Sequence, residues 1–377
     1  MNLCQAGFCT KPNKSLESLF RQFPEFLHID MSNTFETYLN KFNENDWLAA
    51  VEALAPEIHE VDRAATQIWF RFFPLGLFRY LESAEDKEKA VQAFVIKGNY
   101  ELKNQIDTSH HFLYGHRYWK TVKAAIEAES AVFENSNIDL AEEIRQVAAL
   151  AAEKLEVDTS LALGITAVGF MTVVQAGLDS FKNAPGEIEK PKGLMAKSPD
   201  QIVKERAKDD SQGLFGFLKT IDKKFTVNYT TPKFGGKFGI ITEEEIASAS
   251  AKDQSKDWQA ADDRCWEGVV PVECRSAACG TCWVGILGGQ EKLSEVERLE
   301  HNRVKIFGYN QPEEAKPFLR LACQAKAYGN VSIVIPPWNG VFGKEVYGLE
   351  HIELEPATTS AKENRTIVKE AVKNQLM

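Results

Sequence analysis

No apolar run in the sequence reaches the roughly 20 residues that a helix needs to cross a bilayer. The longest, Leu161 to Val174, is interrupted by Thr166 and Thr172 and closed by Gln175 and Asp179, which predicts a buried helix. The opening residues, Met1 to Cys9, hold no basic cluster and no continuous apolar stretch, so no secretory signal is expected. Positive charge is in short supply. Lys and Arg number 44 against 54 Asp and Glu, and the resulting net charge of −10 argues against nucleic acid as a partner. Also missing are G-x-G-x-x-G and Gly-Lys-Ser/Thr, which excludes a dinucleotide fingerprint and a phosphate loop. The Gly235-Gly236 pair supplies neither. Seven cysteines, an odd number of which four belong to one motif, do not make a secreted disulfide framework. These absences predict a cytoplasmic protein of a reducing compartment without a transmembrane span, leaving association at a membrane surface open.

What is present divides in two, and a chain of 377 residues suggests two domains. Residues 1–33 read as an irregular lead-in, in which Cys4 and Cys9 find nothing nearby to complete a site. From 34 to 223 the apolar spacing is helical almost throughout, with no alternating run of Val, Ile or Thr, which predicts an all-α domain. Asn45-Asp46 is expected to cap a helix ended by Pro56, and a longer helix to run from Glu57 through the band Trp69–Phe73 to Pro74. Further helices are expected over Lys87–Lys97, Arg117–Ser130, Leu140–Leu155 and Ser160–Phe181. A Pro- and Gly-rich linker follows near 183–198, then a helix opened by Pro199 and another from Asp209 to about Lys223.

Four histidines in this half invite a functional reading: His59, and the group His110, His111 and His116. A di-iron carboxylate site would want two Glu-x-x-His repeats, whereas Glu57 stands only two residues from His59. The histidines are read as capping and core side chains, with haem or a metal ion as the alternative occupant.

The sharpest chemical signal is one loop. Cys274-Arg275-Ser276-Ala277-Ala278-Cys279-Gly280-Thr281-Cys282 places three thiols in nine residues, and Cys323 follows on an apolar strand. C-x4-C-x2-C with a distant fourth Cys is the ligand spacing of a plant-type [2Fe–2S] cluster, whose two irons need four terminal thiolates. The residues between the thiols are mostly small, so the backbone can approach a buried cluster closely. Structural zinc prefers closely spaced ligand pairs, and Cys282 to Cys323 offers no second pair. Cys265 reads as a buried small side chain.

Around that loop the chain resembles plant-type ferredoxins. Ala260-Ala261 through Gly268-Val269-Val270-Pro271 to Cys274 is similar to that family's helix and entry strand. Leu319 to Gln324 is similar to the segment bearing its fourth ligand, and Gly329 to Pro336 to its last strand. The resemblance covers about 224–337. It implies a β-grasp fold, with Cys274 and Cys279 on one iron and Cys282 and Cys323 on the other. It also implies that Arg275 and the amides of 275–281 lie against the cluster and tune its potential. The expected fold class is therefore α+β: an all-α domain at 34–223, a β-grasp module at 224–337 and an extension at 338–377. Within the module, strands are expected at Phe225–Tyr229 and Phe238–Ile241, and helices at Asp257–Cys265 and Leu293–Glu300. The extension is expected to run extended from Trp338 to Glu355 and to end in a helix over Lys362–Leu376. Two departures stand out. Ala277 occupies a position where the family often has Gly, which fits if its φ stays negative, and the gap from Cys282 to Cys323 is long.

The expected function is one-electron transfer through the cluster, as an iron–sulfur subunit docked in a larger redox complex. The partners would be redox proteins of a multi-subunit oxidoreductase, and the chain an electron carrier more than a self-contained enzyme. The alternative is a redox enzyme whose helical domain binds haem or metal through His59, His110, His111 or His116 and takes electrons from the cluster. A cluster that merely staples the fold is the third reading.

Overall fold

The structure, a computed structural model, describes residues 34–134, 137–208, 223–309 and 317–348, together with Glu370. The expected lead-in at 1–33, the helix from Asp209 and, but for Glu370, the tail helix Lys362–Leu376 lie outside the described residues.

Helices α1 (Thr34–Leu39), α2 (Glu44–Leu54), α3 (Glu60–Phe72), α4 (Leu75–Ser83) and α5 (Lys87–Ala93) open the chain, followed by a short strand, β1 (Lys97–Gly98). Asn43, not Asn45, caps α2, and the Asp46 carboxylate completes the capping box by accepting the Asn43 amide. Helix α3 starts three residues later than expected because His59 is its N-cap, with Nδ1 accepting the Val61 amide at 3.2 Å. Next come α6 (Trp119–Val132), α7 (Leu140–Leu155), α8 (Thr159–Ala176), α9 (Leu178–Asn183) and α10 (Pro199–Arg206). The helix expected over 160–181 is two helices, broken where Gly177 takes φ 82°.

Helix α8 is long and apolar enough by composition to cross a membrane, with a mean hydropathy of 1.5, yet 78% of it is buried inside the fold. It packs against α3, α6 and α7, so apolar residues all round its surface find partners within the bundle.

Asp62 is one of several buried polar residues here, at 1% exposure. Its carboxylate accepts the Tyr114 amide at 2.5 Å and the Gly115 amide at 2.7 Å, pinning the turn that carries His116. Burial pushes its carboxyl up to about 6, against the opposing pull of those amides, Arg206 and Arg117. A folded value above the ordinary one means that the folded state holds the extra proton. This group's contribution therefore falls as pH rises from about 4 to about 6 and is level beyond. Asp62→Asn should lack that slope. Its stability relative to wild type should shift by about 2–3 kcal/mol in its favour between pH 4 and pH 7. Urea denaturation of both proteins across that range checks this, and a constant difference would refute it.

The second half comprises β2 (Lys224–Thr230), β3 (Gly235–Ile241), β4 (Glu244–Glu245), α11 (Ile246–Lys252), α12 (Trp258–Ala261) and β5 (Trp283–Gly288). It continues with α13 (Arg298–Phe307), β6 (Leu319–Leu321), β7 (Lys326–Ala327), β8 (Val331–Val334), β9 (Trp338–Asn339) and α14 (Gly343–Tyr347). Five strands form one sheet in the order β3-β2-β8-β5-β6. Strand β2 runs parallel to β8, and the other pairs are antiparallel. A separate pair, β4 with β7, brings the start of α11 beside the segment that carries Cys323.

Several expected elements differ. The helix over 257–265 is a single turn, because Asp262 turns out of it to accept the Arg264 amide at 3.0 Å and hold the Arg264 guanidinium at 2.8 Å. Helix α13 begins at Arg298 and not near Leu293, since Ser294 is committed elsewhere: its hydroxyl accepts the Lys326 amide and its carbonyl accepts Arg320. Helix α11 was not anticipated, and neither was α14, which interrupts the expected extended run from Trp338.

The helices and the sheet share one hydrophobic core, which extends from Phe35 to Phe342. Helix α3 lies on β5. The Trp283 ring meets Phe72 edge-on at 4.9 Å, and Gly285 leaves room for Ile68, whose Cγ2 would stand 2.5 Å from a Cβ at that position. Strand β9 closes the contact by pairing with β1, while Trp338 Nε1 donates to the Phe72 carbonyl at 2.8 Å. Trp283 and Trp338 are each 1% exposed, and burying an aromatic of this size contributes upward of about 1.5–3 kcal/mol.

Candidate metal centre

The loop 274–282 leaves the Val269–Val272 segment and returns into β5 directly after Cys282. Its shape comes from three residues with left-handed backbone: Arg275 (φ 58°), Ala277 (φ 60°) and Gly280 (φ 64°). The condition that Ala277 keep a negative φ is not met. Left-handed Ala costs about 1–2 kcal/mol, which the surrounding structure has to offset. Such alternation turns successive amides toward one side and builds a concavity that favours negative charge. At Gly280 a side chain is also excluded by packing, since a Cβ would lie 3.1 Å from the Phe307 ring.

The fourth thiol is delivered from the other side. Cys323 follows β6, and the turn it occupies is clamped by α11: the Ala247 amide donates to Ala322 O at 2.9 Å and the Ile246 amide to Ala325 O at 3.0 Å. The Ala322 amide in turn donates to Cys282 O at 2.9 Å, tying the two thiol-bearing segments together.

The thiols stand as two pairs, Cys274 with Cys279 and Cys282 with Cys323. Within the first pair, the Cys279 thiol donates to Cys274, which brings the Cys274 thiol down to about 5 and drives Cys279 upward. Within the second pair, Cys323 is lowered by its bond from Cys282, and Cys282 is raised by the same bond and by burial. Amide and side-chain donors already address the sulfurs. Ser276 N and Cys279 N reach Cys274 Sγ at 3.4 and 3.3 Å, and Gln324 Nε2 reaches Cys323 Sγ at 3.3 Å. The Thr281 hydroxyl lies 2.9 Å from Cys279 Sγ. Cys282 and Cys323 are buried, whereas Cys274 and Cys279 are half-buried beside the exposed Ser276. The donor set therefore suits two irons, each with two thiolates, inside a cradle of amides that offsets sulfide charge. The Arg275 guanidinium reaches away along the loop to the Glu267 carboxylate and to Ser248 Oγ at 2.9 Å.

Cys265 is buried, and its thiol donates to Val269 O at 3.2 Å, as a small structural side chain would. The four histidines are not brought into one site. His59 is spent on its helix cap, with Nε2 3.6 Å from Asp200. His111 bonds the Thr108 carbonyl at 3.0 Å. His110 and His116 do meet, Nδ1 to Nδ1 at 2.8 Å. Because His110 Nε2 faces the Ile106 carbonyl at 3.1 Å it carries a hydrogen, so His110 Nδ1 is the acceptor and His116 Nδ1 the donor. Burial lowers both rings, His116 to about 4, which keeps the pair neutral. Among the described residues no three His, Cys, Asp or Glu side chains converge on a point as a single ion would require.

Sequence reasoning missed the supporting residues Thr281, Gln324, Glu300 and Tyr309. Glu300 forms a buried two-pronged pair with Arg320, at 2.9 Å on each side, and also accepts the Leu321 amide at 2.7 Å. Tyr309 OH donates to Gly340 O at 3.1 Å and stands 3.5 Å from Gly280 O. Thr281 and Gln324 adjoin ligand cysteines in the sequence, which was a usable signal. Glu300 and Tyr309 had none.

The family model for the 2Fe-2S iron-sulfur cluster binding domain matches residues 251–328, about a fifth of the chain. The C-terminal half thus contains a ferredoxin-like module with a [2Fe–2S] cluster as its cofactor, and the chemistry of that module is electron transfer. No curated protein matches the chain.

Proposed function

We propose that the protein is an electron-transfer subunit in which a plant-type [2Fe–2S] module of β-grasp fold is built onto a helical platform. The observation that carries this is the pairing of the thiols inside an amide-lined loop. Cys274 and Cys279 would hold one iron, Cys282 and Cys323 the other. When bound, the cluster takes up and releases one electron. The protein's own residues set the conditions. Amides at 276 and 279, the Thr281 hydroxyl and the Gln324 amide offset thiolate charge and favour the reduced state. Burial of Cys282 and Cys323 keeps water from that side, and the half-buried Cys274–Cys279 side faces outward.

The β-grasp reading is supported by the strand order, with a hairpin whose first strand pairs in parallel with the last strand of the sheet. Docking in a larger redox complex is supported by the firmness with which the helices hold the module, because a free carrier has no use for so large a platform. Residence in a reducing compartment such as the cytoplasm is supported by the reduced thiols that such a site needs.

The test is a redox titration of the purified protein, followed by absorption and EPR. One reversible one-electron step is expected, with an EPR signal only in the reduced state. A cluster that cannot be reduced and reoxidised would reduce the module to a structural staple and end this reading.

A further inference from the structure

A half-open recess of about 450 Å3, measured out to its mouth, lies between α4, the turn at 100–103 and Trp338. Much of that volume is open solvent, and only about 40 Å3 admits the centre of a water molecule, so a ligand would rest partly outside the recess. Its floor is apolar and buried: Phe73, Leu77, Leu81, Leu102 and Trp338 are each at most 4% exposed. Its rim is charged. Lys87 Nζ stands 2.8 Å from both Glu82 Oε1 and Glu101 Oε1. An ammonium has three N–H groups, so one is left for an acceptor.

The recess also touches the redox half of the molecule. The Trp338 ring in its wall lies 5.9 Å from the Trp283 ring, and Trp283 directly follows Cys282. The Trp338 bond to Phe72 O fixes that ring in place.

We propose that this recess binds a small quinone. The flat ring suits the apolar floor, a carbonyl oxygen accepts the remaining Lys87 N–H, and a redox-active ligand suits a wall one aromatic contact from the residue beside Cys282. The choice of a quinone over an inert ring rests on the electron-transfer reading above.

Calorimetric titration of the holoprotein tests this with duroquinone and, as its match without carbonyls, durene. One duroquinone should bind per chain, about tenfold tighter than durene, as loss of one hydrogen bond to a charged group implies. Lys87→Met should abolish that difference and leave durene binding unchanged, while Leu77→Phe should narrow the recess and weaken both. Absence of saturable heat, equal affinity for the two rings, or undiminished duroquinone binding by Lys87→Met would each overturn the site. Lys87 is on the rim, so its variant keeps the test open if Leu77→Phe does not fold. A holoprotein that is reversibly reduced but ignores duroquinone overturns the quinone site alone. One that binds duroquinone as described but resists reduction keeps the site and overturns the electron-transfer reading.

Discussion

Purified Cys323→Ser is expected to carry almost no cluster, with iron falling from about two per chain to near zero and the visible absorption lost. A hard serine oxygen matches the sulfur-bridged iron less well than a thiolate does, and the site leaves little freedom to compensate. Cys323 is 6% exposed on a turn whose carbonyls at 322 and 325 are both held by α11. Cys265→Ser is the matched control. Cys265 is also buried, but its thiol bonds Val269 O, so the variant should keep its iron and lose only modest stability. Iron analysis and absorption spectra of both variants decide the matter. Full iron in Cys323→Ser, or loss of iron in Cys265→Ser, would reassign the fourth ligand to Cys265.

Glu300→Leu is expected to cost about 3–5 kcal/mol, because it strands Arg320 as an unpaired buried charge. The two side chains are 1% and 4% exposed, and Glu300 also satisfies the Leu321 amide. Adding Arg320→Met should restore most of the loss, since replacing a whole buried pair with apolar groups is often close to neutral. Guanidinium denaturation of the single and double variants measures both effects. If Glu300→Leu unfolds within 1 kcal/mol of wild type, taken as roughly the value of an exposed pair, the pair is not a closed one. Because Arg320 precedes Cys323 by three residues, the single variant should also retain its cluster poorly.

The parts of the molecule that could be read from sequence are those governed by neighbours along the chain. Helix α7 has the bounds expected from its spacing, Leu140–Leu155, because Asp139 caps it locally and the apolar stripe is regular. The cysteine spacing speaks directly because ligation sets it. The misreadings arise where a side chain has a distant partner. Nothing local shows that Ser294 is bound by Lys326 and Arg320, or that Arg264 ties Asp262 to Asn339 and Pro336. Ala277 shows the same limit in the backbone, where a local preference against left-handed φ yields to the shape of the loop. The histidines needed coordinates as well. Their count suggested a site, and only the His110–His116 bond shows that two of them satisfy each other.

The union of helices and sheet sets the timing of assembly. The Thr226 amide bonds Asn330, 104 residues further on, and Trp338 bonds Phe72 across 266 residues. During synthesis, then, α3 leaves the ribosome long before the strands that will cover its Ile68 and Phe72. Pairings this distant in sequence form slowly and leave apolar surface open while they wait. The four thiols are all present only once Cys323 has emerged, and β5, which follows Cys282, gains its partner β8 later still. Cluster loading is accordingly expected late in synthesis, and a nascent chain stalled before residue 323 would present a sticky helix face and lack the fourth thiol.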